Sequence, residues 1–206
     1  MIAIIDYGAG NLRSLENTFA ALGVAAKICS SPKEIATAAG IVIPGVGSFS
    51  TGMEGLRRSG LLDALQEAVH VQRKPCLGVC LGMQLLADSG HEDGEYRGLG
   101  WFPGTVKYIE PAKSEFRVPH MGWNEVYVRL QSPLFEGMGE RPIFYFVHSY
   151  SFRPEIGSED CVSATCEHGT EIVAAIQRDN IFGVQFHPEK SQEDGLILLK
   201  NFLRLL

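Results

Sequence analysis

The sequence predicts an α/β fold, with a mostly parallel central sheet, helices on both faces, and antiparallel strands extending the sheet in the second half. Three observations carry this expectation. Over residues 1–88, short apolar runs alternate with stretches of helical period, the pattern of a parallel sheet buried on both faces. From residue 105 onward, strand-like runs follow one another through turns. The last fourteen residues return to helical spacing. The composition agrees: 206 residues, 45% hydrophobic and 20% charged, can bury a core large enough to offset the entropy of ordering. Length favours one domain over two, and residues 1–206 are read as a single domain.

The elements follow in order. Residues 1–6 form a first strand, closed by the turn Gly8-Ala9-Gly10. Residues 11–22 place Leu12, Leu15, Phe19 and Leu22 on one helical face. Residues 24–29 are a second strand. Ser31-Pro32-Lys33-Glu34 then reads as a helix start, with serine as cap, proline at the first helical position and glutamate three residues after the cap. Residues 40–43 make a third strand that stops at Pro44-Gly45-Val46-Gly47. A helix over 59–72, a strand over 75–79 and a helix over 81–88 complete the first half. In the second half, strands are expected at 105–109, 124–130, 143–149, 162–166, 172–177 and 182–186. Arg178-Asp179-Asn180-Ile181 is the hairpin between the last two. An amphipathic helix over 193–206 ends the chain, its stripe from Leu196 to Leu206 read as a packing face.

Charge and cysteine content exclude several functions. A net charge of −6 argues against nucleic acid or an anionic membrane as partner. The N-terminus lacks the basic and apolar regions of a signal peptide, and no apolar run approaches the length of a membrane span. Cys76/Cys80 and Cys161/Cys166 lack the two-residue interval of common zinc sites. No metal or cofactor is expected, and five free thiols suit a reducing, cytoplasmic setting. In a strand, Cys161 and Cys166 would point to opposite faces. Cys29, Cys161 and Cys166 are read as core thiols, and His70, His91 and His168 as surface residues.

Three segments carry chemistry. In Pro75-Cys76-Leu77-Gly78-Val79-Cys80-Leu81-Gly82-Met83-Gln84, an apolar strand meets Cys80 between two glycines and a helix begins at once. This is a nucleophile elbow with cysteine in place of serine, its glycines required by the sharp turn. The free amides at the helix start favour negative charge on sulfur. In Gln185-Phe186-His187-Pro188-Glu189-Lys190, an imidazole and a carboxylate two residues apart leave an apolar strand. In extended chain they share a side, so Glu189 can hold one ring nitrogen while the other faces a thiol. Pro44-Gly45-Val46-Gly47 follows a parallel strand where the second amide of an oxyanion hole arises, the first being that of Leu81. A plain glycine turn is the alternative; a phosphate loop fits poorly, lacking the Gly-Lys-Ser/Thr ending.

Together, Gly78-Val79-Cys80-Leu81-Gly82-Met83-Gln84 and His187-Pro188-Glu189 resemble the class I (triad) glutamine amidotransferases. Asp6 to Leu12, Pro44 to Gly47, His120-Met121-Gly122-Trp123-Asn124 and Phe146-Val147-His148-Ser149-Tyr150 are similar, within that family, to the glutaminase subunits of imidazole glycerol phosphate synthases. The resemblance implies that Cys80 attacks the side-chain amide of glutamine, with His187 as base and Glu189 as its orienter. It implies an oxyanion hole from the amide of Leu81 and one within Gly45, Val46 and Gly47. Gln84, Ser149, Tyr150 and Glu92 match substrate-holding positions, although residues 87–91 depart from the family pattern before Glu92. Ser48 replaces a common alanine. The implied partner is a cyclase subunit, a (β/α)8 barrel that receives the ammonia. Asn11, Trp123 and Lys190 match positions facing it, although Asn11 also suits a helix cap, Trp123 a core position and Lys190 a solvated surface. His120 and His148 are read as structural or interfacial. Three alternatives stay open: the glutaminase of another pathway, a stand-alone cysteine γ-glutamyl hydrolase, and a binding module that keeps the fold.

Overall fold

The computed structural model of the chain describes every residue except Ala9 and Lys113; Ala9, in the expected Gly8-Ala9-Gly10 turn, thus lies outside the described residues. The first half runs β1 (Ile2–Ile5), α1 (Leu12–Ala21), β2 (Ala26–Cys29), α2 (Pro32–Thr37), β3 (Gly40–Ile43), α3 (Phe49–Ser59), α4 (Leu62–Gln66), β4 (Cys76–Val79) and α5 (Leu81–Gln84). The second half adds β5 (Ala87–Gly90), β6 (Tyr96–Arg97), β7 (Phe102–Tyr108), β8 (His120–Glu125), β9 (Tyr127–Val128), β10 (Ile143–His148), β11 (Tyr150–Pro154), β12 (Val162–Glu167), β13 (Glu171–Arg178), β14 (Ile181–Val184) and α6 (Gln192–Leu203).

The central sheet has the order β2-β1-β3-β4-β14-β13-β12-β9. It is parallel from β2 to β14 and antiparallel beyond, as expected. A four-stranded sheet β11-β7-β5-β6 and the antiparallel pair β8/β10 lie outside it. The strands β1, β3, β4 and β14 are buried along their whole length, which is why each reads as an unbroken apolar run. Alternate residues feed two cores. Ala3 and Ile5 join Phe49, Met53, Leu56 and Phe102 on one side, while Ile2 and Ile4 join Phe19, Phe144, Phe186 and Phe202 on the other. Cys161 and Cys166 fall in opposite cores, and all five cysteines are free and buried. Among the described residues, no helix is long and apolar enough to cross a membrane.

Several boundaries differ from expectation. The helix expected over 59–72 begins ten residues earlier, capped by Ser48, whose hydroxyl accepts the Thr51 amide at 3.3 Å. It stops at Gly60, where φ is +68°, before α4 and a turn of π-helix over Glu67–Val71. Gly52 and Gly55 disguise α3 as loop, yet Gly55 is a steric need, since a Cβ there would sit 2.1 Å from the Tyr7 carbonyl oxygen, and Gly52 packs closely on the Leu81 and Leu85 side chains. The helix expected over 81–88 lasts one turn, because Leu86 accepts the amides of Trp101 and Phe102 and draws the chain into β5. The run 124–130 divides into β8 and β9, and β11 had no counterpart in the pattern. At α2, Glu34 reaches back to the Ser30 amide and the Ser31 hydroxyl, and the serine side chain caps no amide. On α6, Leu198, Leu199 and Phe202 pack inward, while Leu196 stays exposed, as does Leu206 beyond the helix end.

Candidate active site

The site forms where β4 and β14, parallel neighbours, both end. Cys80 leaves β4 with φ 52° and ψ −110°, a conformation a non-glycine residue adopts only under constraint. The constraint is visible. The Cys80 amide donates to Val184 O at 2.8 Å, so the elbow is tied to the adjoining strand. A Cβ on Gly82 would lie 1.7 Å from the Ile43 carbonyl oxygen, and one on Gly78 would lie 2.7 Å from that of Gly82. Three backbone segments therefore meet at a separation that only glycine permits. Helix α5 is a single turn long, and the amides of Met83 and Gln84 donate to the Cys80 carbonyl.

His187 follows β14, its backbone amide donating to Tyr145 O at 2.9 Å. The ring's Nδ1 lies 2.9 Å from Glu189 Oε1, and both side chains are almost wholly buried. The two were expected to share a side of extended chain. Instead Pro188–Lys190 is a turn of 3-10 helix, which brings the carboxylate back to the ring. The Ser191 hydroxyl fastens this turn by donating to His187 O at 2.6 Å and accepting the Tyr145 amide at 3.0 Å. Nε2 of His187 is buried without a hydrogen-bond partner. Burial lowers the ring's pKa, but Cys80 and Glu189 outweigh it and lift the value to about 9.

Cys80 and His187 line one cleft of about 390 Å³ with Val46, Gly47, Leu81, Gln84, Glu92, Val147, His148, Ser149 and Tyr150. Among the described residues, the larger hollows elsewhere, such as one of about 500 Å³ lined by Arg129, Arg153 and Glu171, are lined by no cysteine. Eight of the expected site residues thus meet around the sulfur. Glu189 stands behind the ring, and Gly45 packs on the elbow, where an added Cβ would be 2.8 Å from Leu81 Cβ. Val46 is exposed, and Gly47 has φ +111° with open space around it. Glu92 joins the cleft through a bond from the Phe49 amide to Oε2, at 2.8 Å.

Asn11, Trp123 and Lys190 lie outside the cleft. Asn11 is exposed and holds the N-cap position of α1, as its cap reading expects, although its side chain makes no capping hydrogen bond. Trp123 is 49% exposed, so it is not core. Its ring stands edge-on to Tyr145 at 5.8 Å, and Lys190 Nζ sits 5.9 Å from the same ring.

Sequence reasoning missed several contributors. Tyr7 is buried, and its hydroxyl donates to the Pro44 carbonyl at the base of the glycine loop. Burial, then the negative charge of Cys80, raises its pKa. Gln185, fully buried, places Nε2 3.7 Å from Cys80 Sγ. The available signal was an amide inside an apolar strand, which must find partners once buried. His168, expected at the surface, stacks on the buried His120 at 4.2 Å and donates from Nε2 to Arg117 O at 2.8 Å. His70, likewise, is half-buried edge-on to Trp101. Among the described residues, no group of three or more metal-type side chains converges on a point.

Comparison with known proteins now becomes informative. Residues 3–205 match the family described as glutamine amidotransferase class-I. Imidazole glycerol phosphate synthase subunit HisH 1 of Campylobacter jejuni is 46% identical over the full length of both chains. Imidazole glycerol phosphate synthase hisHF, chloroplastic, of Arabidopsis thaliana is 43% identical over 98% of this chain and 34% of its own length. A crystal structure of a glutamine amidotransferase superposes with a TM-score of 0.76, at 21% identity, covering 100% of this chain and 98% of that one.

Proposed function

We infer the activity from one premise: the chain belongs to the class I glutamine amidotransferase family. It is an enzyme, the glutaminase subunit of imidazole glycerol phosphate synthase, acting in histidine biosynthesis. The observation that carries the chemical reading is the geometry at the strand ends: a thiol at a positive-φ elbow and an imidazole–carboxylate pair in one cleft.

In this reading His187 takes the thiol proton, and the sulfur of Cys80 attacks the side-chain carbonyl carbon of glutamine. The oxyanion so formed is held by the amides of Leu81 and the loop Gly45, Val46 and Gly47. Collapse breaks the C–N bond as His187 returns the proton to nitrogen, releasing ammonia and a γ-glutamyl thioester. Water, deprotonated by His187, then attacks the thioester and frees glutamate and the thiol. Glu189 fixes the ring and stabilises its charged form. Gln84, Ser149, Tyr150 and Glu92 hold the substrate, Glu92 meeting its ammonium group. Gln84's amide nitrogen already donates to Tyr150 O and Gln185, so its role there falls to the carbonyl oxygen.

Ammonia freed into neutral water is mostly protonated and loses its nucleophilicity. The glutaminase therefore serves a cyclase, a (β/α)8 barrel docked as a heterodimer partner, to which ammonia passes through a channel. The cyclase forms imidazole glycerol phosphate and aminoimidazole carboxamide ribotide. Support comes from the outer face of β8/β10, where Met121, Trp123 and Ile143 are exposed beside the cleft wall formed by Val147 and His148. Trp123 and Lys190 belong to this docking face, with Asn11 at its margin. Five free cysteines suit the cytoplasm, and one domain accounts for residues 1–206.

The test is Cys80→Ala in the complex with the cyclase. Glutamine-dependent synthesis should fall by at least about 1,000-fold while ammonia-dependent synthesis persists. Retained glutamine turnover overturns the reading.

A further inference from the structure

The Cys80 sulfur has a second neighbour besides its imidazole, and that neighbour is held by a continuous polar chain. Gln185 Nε2 donates to Cys80 Sγ at 3.7 Å. Gln185 Oε1 accepts from Gln84 Nε2 at 3.0 Å, and the same nitrogen donates to Tyr150 O at 2.9 Å. That carbonyl also accepts from His148 Nδ1 at 2.8 Å. Because a carbonyl can only accept, the His148 proton must sit on Nδ1, leaving Nε2 as an acceptor. His120 Nδ1 lies 3.0 Å from that Nε2 and therefore carries a proton, so His120 Nε2 accepts in turn. Asn124 Nδ2 donates to it at 3.1 Å and to Glu167 O at 2.9 Å. The Tyr150 carbonyl thus fixes the Gln84 and Gln185 amides on one side and the His148 and His120 tautomers on the other. Burial, together with neighbouring histidines, lowers the pKa of His120 to about 3 and of His148 to about 4, which keeps both rings neutral.

We propose that Gln185 is a positioning residue for the nucleophile, its N–H directed at the Cys80 sulfur by Gln84, whose own amide is oriented by the Tyr150 carbonyl. An N–H aimed at sulfur stabilises the thiolate more than the thiol. A rotated Gln185 amide would turn its oxygen on the sulfur and do the reverse, and the Gln84 donor forbids that rotation. The inference rests on Cys80 being the nucleophile.

The test is the pH dependence of Cys80 alkylation by iodoacetamide in the full chain, read on the Cys80 peptide by mass spectrometry. The titratable groups around the sulfur are His187 with Glu189 behind it, Tyr7, His148, Glu92 and Tyr150, and none is altered by the variants used. Gln185→Met keeps the volume and loses the donor; its profile should move to higher pH by about one unit. Gln185→Glu places an acceptor beside the sulfur and should move it further. Profiles that superpose on the wild type, in variants with unchanged melting, overturn the proposal. A wild-type measurement stands apart from folding of the variants: the Gln185 side-chain amide resonance should shift with the titration of Cys80, and a flat resonance also overturns it. Glutamine hydrolysis by the wild type is assayed alongside. Its absence refutes the glutaminase reading, whereas hydrolysis with superposed profiles refutes only the role of Gln185.

Discussion

The two walls of the cleft are built by opposite means. The elbow wall is backbone against backbone: Gly78, Gly82 and Gly45 bring three chain segments to distances at which no side chain fits. The facing wall, from β8, β10 and the end of β14, is side chain against side chain, with His120 bonded to His148 across 28 residues of sequence and His187 bonded to Glu189 within a local turn. The first wall is rigid because steric exclusion leaves no alternative. The second is rigid only while every donor keeps its acceptor. The nucleophile sits on the wall that cannot adjust, and its proton chemistry on the wall that titrates.

The sharpest break of this contrast is Gly82→Ala. A methyl group 1.7 Å from the Ile43 carbonyl cannot be accommodated by a rotamer change. We expect a loss of about 4 kcal/mol or more, or failure to fold, in urea melts. A variant melting like the wild type would show that the elbow has slack.

On the titrating wall, Glu189→Gln should spare the fold and damage the chemistry. Losing the carboxylate removes one of the influences that raise His187 to about 9. The ring then sheds its proton at lower pH, so the alkaline limb of glutaminase activity should move down by about one unit. The maximal rate should fall roughly 100-fold. An NMR titration of His187 that does not move contradicts this account.

The histidine pair sharpens the comparison through stability. His120 and His148 are held near 3 and 4 in the folded chain, against about 6.5 when unfolded. Between those values the unfolded chain binds more protons, so stability should fall as pH drops from about 6.5 toward 4. His120→Phe should reduce that slope by about one proton, measured as urea midpoints against pH. Equal slopes would mean the rings already titrate freely.

The smallest effect is expected at Gly47→Ala. Its φ of +111° disfavours any side chain, but nothing lies within 4 Å. A cost of about 1–2 kcal/mol, with the melt still cooperative, separates conformational strain from the collision at Gly82. Comparable losses at both glycines would erase the distinction drawn between the walls.

The same division explains what was legible in the sequence. Cys80 and its glycines are contiguous, as are His187 and Glu189, so local pattern revealed them, along with the parallel sheet whose strands are each one apolar run. The His120–His148 bond depends on the pairing of β8 with β10, which no local pattern encodes. Gln185 was overlooked inside an apolar strand for the same reason, its partners lying 101 and 105 residues away. Helix α3 was concealed by Gly52 and Gly55, residues poor for helices, of which Gly55 is demanded by the Tyr7 carbonyl.

Strand β14 enters the middle of the central sheet, beside β4, although it is the final strand in chain order. During translation, therefore, the thiol emerges from the ribosome about a hundred residues ahead of the imidazole that serves it. For that interval the nascent chain holds an inert sulfur and an open slot in its sheet, and hydrolytic competence arrives only as the slot is filled.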